Sequence, residues 1–359
     1  MVKKNVTRQS KRKKQTYKTR QHLLQTVRDI QTELLSFEQS SVASFHMSDY
    51  LRSNGVIPLW EQLSMRHMSS SEKRIDDSLL LTDVRCGFER GEFICLYQPQ
   101  WCLKTGRLIA IETDVRWQHP KKGLMGSDFF LPFFEEHNLT EDFIYVLIER
   151  ILTDKLQVTS TGIKDFLTIL KFSSAQLETP YLAQLILRQF EKEHILPSEI
   201  ECQLNDRQFV KNVSVLRQNL IDFQQANVSL SLGKFGSGYS GYPYLQEFHF
   251  NKIKLEKNYL INVFQNPRAQ MIIQSVINMA RMLNASAVMD GVNDVQILKW
   301  LQMIDCDIGQ GCYIGGFMFL EDLVDFLTEY RKIQHNGKKA IMNFWQQKSK
   351  KIIHLSPDC

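Results

Sequence analysis

Val228–Leu245 reads VSLSLGKFGSGYSGYPYL, a β-branched and leucine run that stops in a glycine-rich loop. A short apolar run bounded by turn residues predicts a buried strand of a parallel sheet. Gly236 and Gly238 tolerate positive φ or close backbone approach; Tyr239, Tyr242 and Tyr244 supply flat faces, and Lys234 stands where the strand should end. Strand ends carry the chemistry of α/β barrels, yet the same composition also serves plain turns. The segment alone admits both readings, and its neighbours decide.

Outward from it, short apolar strands alternate with helical periods, the texture of βα units around a parallel sheet. The strands fall at Phe93–Gln98, Leu108–Trp117, Phe166–Phe172, Ile200–Gln203, Val228–Leu232, Lys252–Leu255, Ser286–Met289 and Asp307–Ile308. Helical periods lie at Glu141–Leu156, Ala183–Glu193, Arg207–Ala226, Ala269–Leu283, Val295–Met303 and Leu320–Tyr330. Eight strands over roughly 250 residues is the size of a (β/α)8 barrel.

The 359 residues are 43% apolar and carry a formal charge of +5, enough for one large domain with an extension. No apolar run approaches the roughly 20 residues of a membrane span, and the polar N-terminus does not read as a signal peptide. Seven scattered cysteines without a Cys-x-x-Cys pair predict reduced thiols, no zinc site and a cytoplasmic protein. The charge is uneven. Residues 1–28 hold ten Lys or Arg and no acid, residues 331–359 hold seven against Asp358, and residues 29–330 are left with −11. Basic ends on an acidic body suit nucleic acid, an anionic surface or an acidic protein, or serve as solvated tails.

Residues 1–80 read as a basic, partly helical extension and linker, 81–330 as the barrel, and 331–359 as a basic tail in which Trp345 could anchor a partner. In the extension, Leu23, Leu24, Val27, Ile30, Leu34 and Leu35 recur at helical spacing. No helix-turn-helix pattern is visible there, although Lys11, Arg12, Lys13 and Lys14 could contact nucleic acid. His119 in Trp-Gln-His-Pro reads as a turn residue, and Phe129, Phe130, Phe133 and Phe134 as core.

Several segments together resemble the EAL family of cyclic di-GMP phosphodiesterases: LYQPQWCLKTGRLIAIETDVRWQHPKKGLM (Leu96–Met125), FSSAQL (Phe172–Leu177), KFGSGYSGYPYL (Lys234–Leu245), NKIKLEKNYL (Asn251–Leu260), AVMDGVNDVQILKWL (Ala287–Leu301) and CDIGQGCYIGGFM (Cys306–Met318). The resemblance implies a modified (β/α)8, TIM-like barrel with one antiparallel strand and a substrate across the C-terminal rim. It also implies two divalent metals held by carboxylates and an Asn. At the matching positions Glu112 is retained but followed by Thr113 and Asp114. The metal-binding Asn corresponds to Lys171, a Glu to Leu204, and the paired aspartates to Gly233 and Lys234. Lys254 and Gln310 are kept, and two later acids become Asp290 and Asn293.

A protonated Lys has no lone pair, and Leu and Gly offer no side-chain ligand, so the resemblance leads to an expectation of no metal, no cofactor and no hydrolysis. Gln98, Arg116, Gly236, Gly238, Tyr239 and Gln310 match positions that contact nucleotide, which admits weak, metal-free cyclic di-GMP binding. Degenerate members of the family act through protein partners such as transcriptional regulators, in motility, adhesion or virulence control, and EAL barrels often dimerise. The alternative is a DNA-binding regulator that uses the basic N-terminus, with the barrel as a cyclic di-GMP sensor.

Overall fold

The computed structural model describes residues 81–352 apart from 138, 206–209, 211 and 237–240. After α1 (Leu81–Arg90), β1 (Phe93–Cys102), β2 (Leu108–His119) and β3 (Gly123–Gly126) form an antiparallel meander. Next come α2 (Ser127–Glu136), α3 (Thr140–Thr159), β4 (Leu167–Ser173), α4 (Ser174–Leu177), α5 (Leu182–Glu193) and β5 (Ile200–Asn205). The chain continues through α6 (Val213–Gln225), β6 (Ser229–Phe235), α7 (Gly241–Glu247), β7 (Lys252–Leu255), α8 (Pro267–Met282) and β8 (Ser286–Asp290). It closes with α9 (Val295–Met303), β9 (Ile308–Gln310), α10 (Cys312–Gly315), α11 (Leu320–Ile333) and α12 (Lys338–Ile352).

The strand order β1-β9-β8-β7-β6-β5-β4-β2, with β1 also paired to β2, closes an eight-stranded barrel, and β3 is appended at the edge. β2 and β4 to β9 run parallel, whereas β1 is antiparallel to both of its neighbours. This is the TIM-like barrel expected from the sequence, and all eight expected strands are present. Their side chains alternate by the two-residue period. Along β5, Ile200, Cys202 and Leu204 join the apolar shell under the helices, while Glu201, Gln203 and Asn205 lie on the other face.

Single residues stop the helices before the strands. His194, Asn227, Asn284 and Asp305 take positive φ between α5 and β5, α6 and β6, α8 and β8, and α9 and β9. A left-handed residue past the last turn caps the helix and turns the chain back toward the sheet. The starts are capped as well: the Asn212, Asn266 and Asp294 side chains accept from backbone N–H groups in the first turns of α6, α8 and α9.

Two apolar clusters result. The main one surrounds the barrel; a smaller one gathers Val84, Trp117, Phe130, Phe134 and Phe143 around α2 and β3. Phe130, Phe133 and Phe134 are core as expected, but Phe129 is half exposed. His119 is buried, its Nδ1 accepting from the Lys121 and Lys122 amides at 3.1 and 3.2 Å, so it closes a turn. Among the described residues no helix is long and apolar enough to cross a membrane. Cys86, Cys95, Cys102, Cys202 and Cys306 are free thiols, whereas Cys312 is disulfide-bonded, against the expectation of a wholly reduced set.

The basic tail expected from residue 331 is corrected through residue 352. α11 runs past Arg331 to Ile333, and α12 lies against β1, burying Ile341, Phe344 and Trp345. The Trp345 ring meets Trp101 edge-on at 5.5 Å and is fully buried, so it anchors the chain to itself and is closed to a partner. The tail reading failed because charge count hid the apolar stripe beneath the lysines. Trp345→Ala is expected to cost about 3–5 kcal/mol, read as a lowered urea midpoint with an unchanged slope.

Candidate functional site

At the C-terminal ends of the strands lies a cleft of about 290 Å³. Glu112, Asp114 and Arg116 line it from β2, at the two-residue spacing that turns them to one face. Lys171 enters from β4, Gln203 and Asn205 from β5, Lys234 from β6, Lys254 from β7 and Asp290 from β8; Gln98, Asn293 and Phe317 are also in the lining.

The centre is an alternating array of charges. Lys171 Nζ stands 2.5 Å from Asp114 Oδ1 and 3.3 Å from Glu112 Oε1. Lys254 Nζ stands 2.5 Å from the other oxygen, Glu112 Oε2, and 3.4 Å from Asp290 Oδ2. Arg116 Nε meets Asp114 Oδ2 at 2.6 Å. Both oxygens of Glu112 and both of Asp114 are thus engaged by cations. Burial alone would raise Glu112, but the ammonium groups of Lys254 and Lys171 outweigh it and bring its carboxyl to about 2. Burial likewise opposes charge on Lys171 and Lys254, yet facing carboxylates hold both ammoniums above the usual lysine range.

Beside this array runs a chain of glutamines. Gln100 Nε2 donates to Gln310 Oε1 (2.9 Å), Gln310 Nε2 to Gln98 Oε1 (2.7 Å), and Gln98 Nε2 to the Gly315 carbonyl (3.1 Å). This ties β1 to β9 and α10. Asn293 Oδ1 accepts from the Cys312 amide at 3.2 Å. Lys234 adopts φ +55°, uncommon for a residue with a Cβ, and its Nζ lies 3.9 Å from Glu256 Oε1.

Most of the residues singled out from sequence converge here: Gln98, Glu112, Arg116, Lys171, Lys234, Lys254, Asp290 and Asn293 line the cleft, and Gln310 bonds to it. Leu204 does not. It is buried in the apolar shell, and the polar residues presented to the cleft by β5 are Gln203 and Asn205, because alternation turns Leu204 outward. Gly236 takes φ +83°, and a Cβ there would stand 2.3 Å from the Tyr259 hydroxyl, so it shapes the loop. Gly238, Tyr239, Lys11, Arg12, Lys13 and Lys14 lie outside the described residues. Asp114, Gln203 and Asn205 were missed, although the i, i+2 spacing from Glu112 pointed to Asp114.

Gly233 is fixed by packing. A Cβ on it would stand 2.0 Å from Asn205 Oδ1 and 2.9 Å from Gln203 Nε2, two groups that hydrogen-bond to each other at 3.0 Å. Gly233→Asp should therefore cost roughly 1–3 kcal/mol through overpacking, with part of the loss recovered by Asn205→Ala in the same chain; chemical denaturation of the three variants checks it.

The charge array also sets a pH window. Glu112 has a folded pKa below its ordinary 4.5, so its contribution is full above about 4.5 and is lost as pH falls toward about 2. Lys171 is raised above 10.5, so its contribution is full below that value and is lost at higher pH. Denaturation midpoints should be level between these limits and fall on both sides, and Lys171→Met should flatten the acid limb.

A family model described as EAL domain matches residues 82–316. The cyclic di-GMP phosphodiesterase RocR of Pseudomonas aeruginosa is 29% identical over 249 residues, covering 69% of this chain and 63% of RocR. An uncharacterised signalling protein of Caulobacter vibrioides is 28% identical over 249 residues, covering 68% of this chain and 30% of that protein. The chain thus spans less than two thirds of the length of these relatives. In fold it is similar to the PaMucR phosphodiesterase in complex with c-di-GMP, with a TM-score of 0.63 at 23% identity over 68% of this chain and 98% of that one. It is also similar to the EAL enzyme Bd1971 in its cAMP- and cyclic-di-GMP-bound form, with a TM-score of 0.67 at 18% identity over 79% of this chain and 80% of that one. With the closed barrel, its antiparallel first strand and a match over most of the described residues, the chain belongs to the EAL domain family of cyclic di-GMP signalling proteins.

Proposed function

We propose that this chain is a regulatory EAL-domain protein that does not hydrolyse cyclic di-GMP and acts by binding protein partners, in control of motility, adhesion or virulence gene expression. The observation that carries the first half is the position of Lys171, whose ammonium bridges Glu112 and Asp114 at 3.3 and 2.5 Å. Hydrolysis of the family's kind uses two divalent ions to polarise the phosphodiester and activate water. The donor set here does not fit that pair. The carboxylates carry ammonium partners, and among the described residues no group of three or more His, Cys, Asp or Glu could hold a metal ion. Repulsion between an ammonium and a divalent ion a few ångströms apart is of order several kcal/mol at an effective dielectric constant of about 20.

The phosphodiesterases among the relatives make hydrolysis the opposing reading. Purified protein incubated with cyclic di-GMP and Mg2+ or Mn2+ is expected to give no linear product above the buffer control, and metal-dependent turnover would overturn the proposal. For the second half, affinity capture from the native cell should return the same partner with the full chain and with a variant lacking residues 1–80. If DNA is recovered instead, with affinity that falls steeply with salt and vanishes on deleting residues 1–20, the basic N-terminus is the functional surface.

A second reading has a specific basis. Gln98 and Arg116 line the cleft, Gln310 bonds to Gln98, and Arg116 lies over the Phe317 ring at 5.9 Å, so a guanidinium able to grip phosphate is held at the rim. This supports weak cyclic di-GMP binding without metal. Calorimetry is expected to show heat with the parent chain that is lost in Arg116→Ala; a silent parent chain rejects the reading.

A further inference from the structure

Beside the ion-paired cleft, α2 and α3 do not close fully on β2 and β4, and a second cavity of about 400 Å³ runs between them to the same rim. Its origin lies in the division of the core. Phe143 belongs to the small aromatic cluster, Ile148 and Leu170 belong to the main one, and Leu147 packs against both; all four line the cavity. Protein interiors normally close such a seam, because lining atoms without neighbours lose dispersion contacts. A recess with an unbroken apolar wall on α3, from Phe143 to Ile151, facing a polar and charged rim has the form of a small-molecule site.

The polar end is built. Arg116 and Lys171 stand at the mouth on the strand side, and Asp128 and Glu135 on the α2 side. Asp114, between them, is engaged by Lys171 and Arg116, and Glu135 accepts from the Ser173 hydroxyl at 3.1 Å. Arg116 Nη1 would lie 3.1 Å from a Cβ on Gly126, so the lack of a side chain on Gly126 lets the guanidinium lie across the opening. On the α3 side the lining is Phe143, Ile144, Leu147, Ile148 and Ile151, which favours an apolar tail there and leaves the cations at the rim to hold the head.

We propose that this recess binds an amphipathic carboxylate, its acyl tail between Leu131 of α2 and Leu147 of α3 and its head on Arg116. The inference stands whether or not the neighbouring cleft hydrolyses anything. The test is calorimetry on the full chain with octanoate, decanoate and dodecanoate below their micelle concentrations, and with decanol as the neutral control. Saturable one-to-one binding is expected, strengthening about fourfold per methylene until the recess is full and then levelling. Decanol should bind about tenfold more weakly, and Arg116→Ala should remove that advantage of the carboxylate. Leu147→Trp and Leu131→Trp fill the recess from opposite walls and should each abolish binding while melting cooperatively; if one fails to fold, the other decides. No saturable heat at any chain length, or a chain-length series unchanged in the folded Trp variant, overturns the proposal.

Discussion

Carboxylates inside a closed barrel need counter-charges, and in this chain lysines supply them. Lys171 and Lys254 share Glu112 and reach on to Asp114 and Asp290. Deeper in the barrel, Lys252 meets the fully buried Glu201 at 2.5 Å. Removing one partner of such a buried pair costs about 3–5 kcal/mol, because the other charge is left without water or counter-ion. The interior is therefore electrically complete from side chains alone. The same pairing underlies the proposal that the cleft does not hydrolyse cyclic di-GMP, since a pair of divalent ions would have to displace ammoniums tethered to the strands.

The barrel wall depends on an unusual first strand. Because β1 runs antiparallel to both β2 and β9, it is joined to β2 by a tight turn with no crossover helix, and its outer face is left to be covered by something else. α11 and α12 do this together, setting Tyr330, Phe326 and Trp345 on Trp101 and Ile341 over the β1–β2 turn at Gly106. The basic residues from Arg331 to Lys348 thus sit on two packed helices.

The cleft and the neighbouring recess share Asp114, Arg116, Lys171, Asn205 and Lys234. Arg116 and Lys171 neutralise Asp114 and also form the cationic lip of the recess. A ligand head on Arg116 would compete with Asp114 for the guanidinium and so alter the field felt by Lys171 and Glu112, coupling the two pockets through one ion pair.

The barrel was legible in the sequence because its strands carry short apolar runs and its helices carry 3.6-residue periods, and both patterns follow from burying one face of a local element. The identities of Lys171, Gly233 and Lys234 were legible too, because side-chain chemistry can be read residue by residue. Spatial pairing could not be read that way. That Asp114 would partner Lys171, that Leu204 would turn outward while Asn205 filled the space above Gly233, and that Trp345 would be buried on Trp101 all depend on strand register and helix docking. These are set by contacts between residues far apart in the chain, so the sequence alone determined the barrel and part of the cleft's lining, while only the tertiary structure added Asp114, Gln203 and Asn205 and decided which charge neutralises which and where the core stays open.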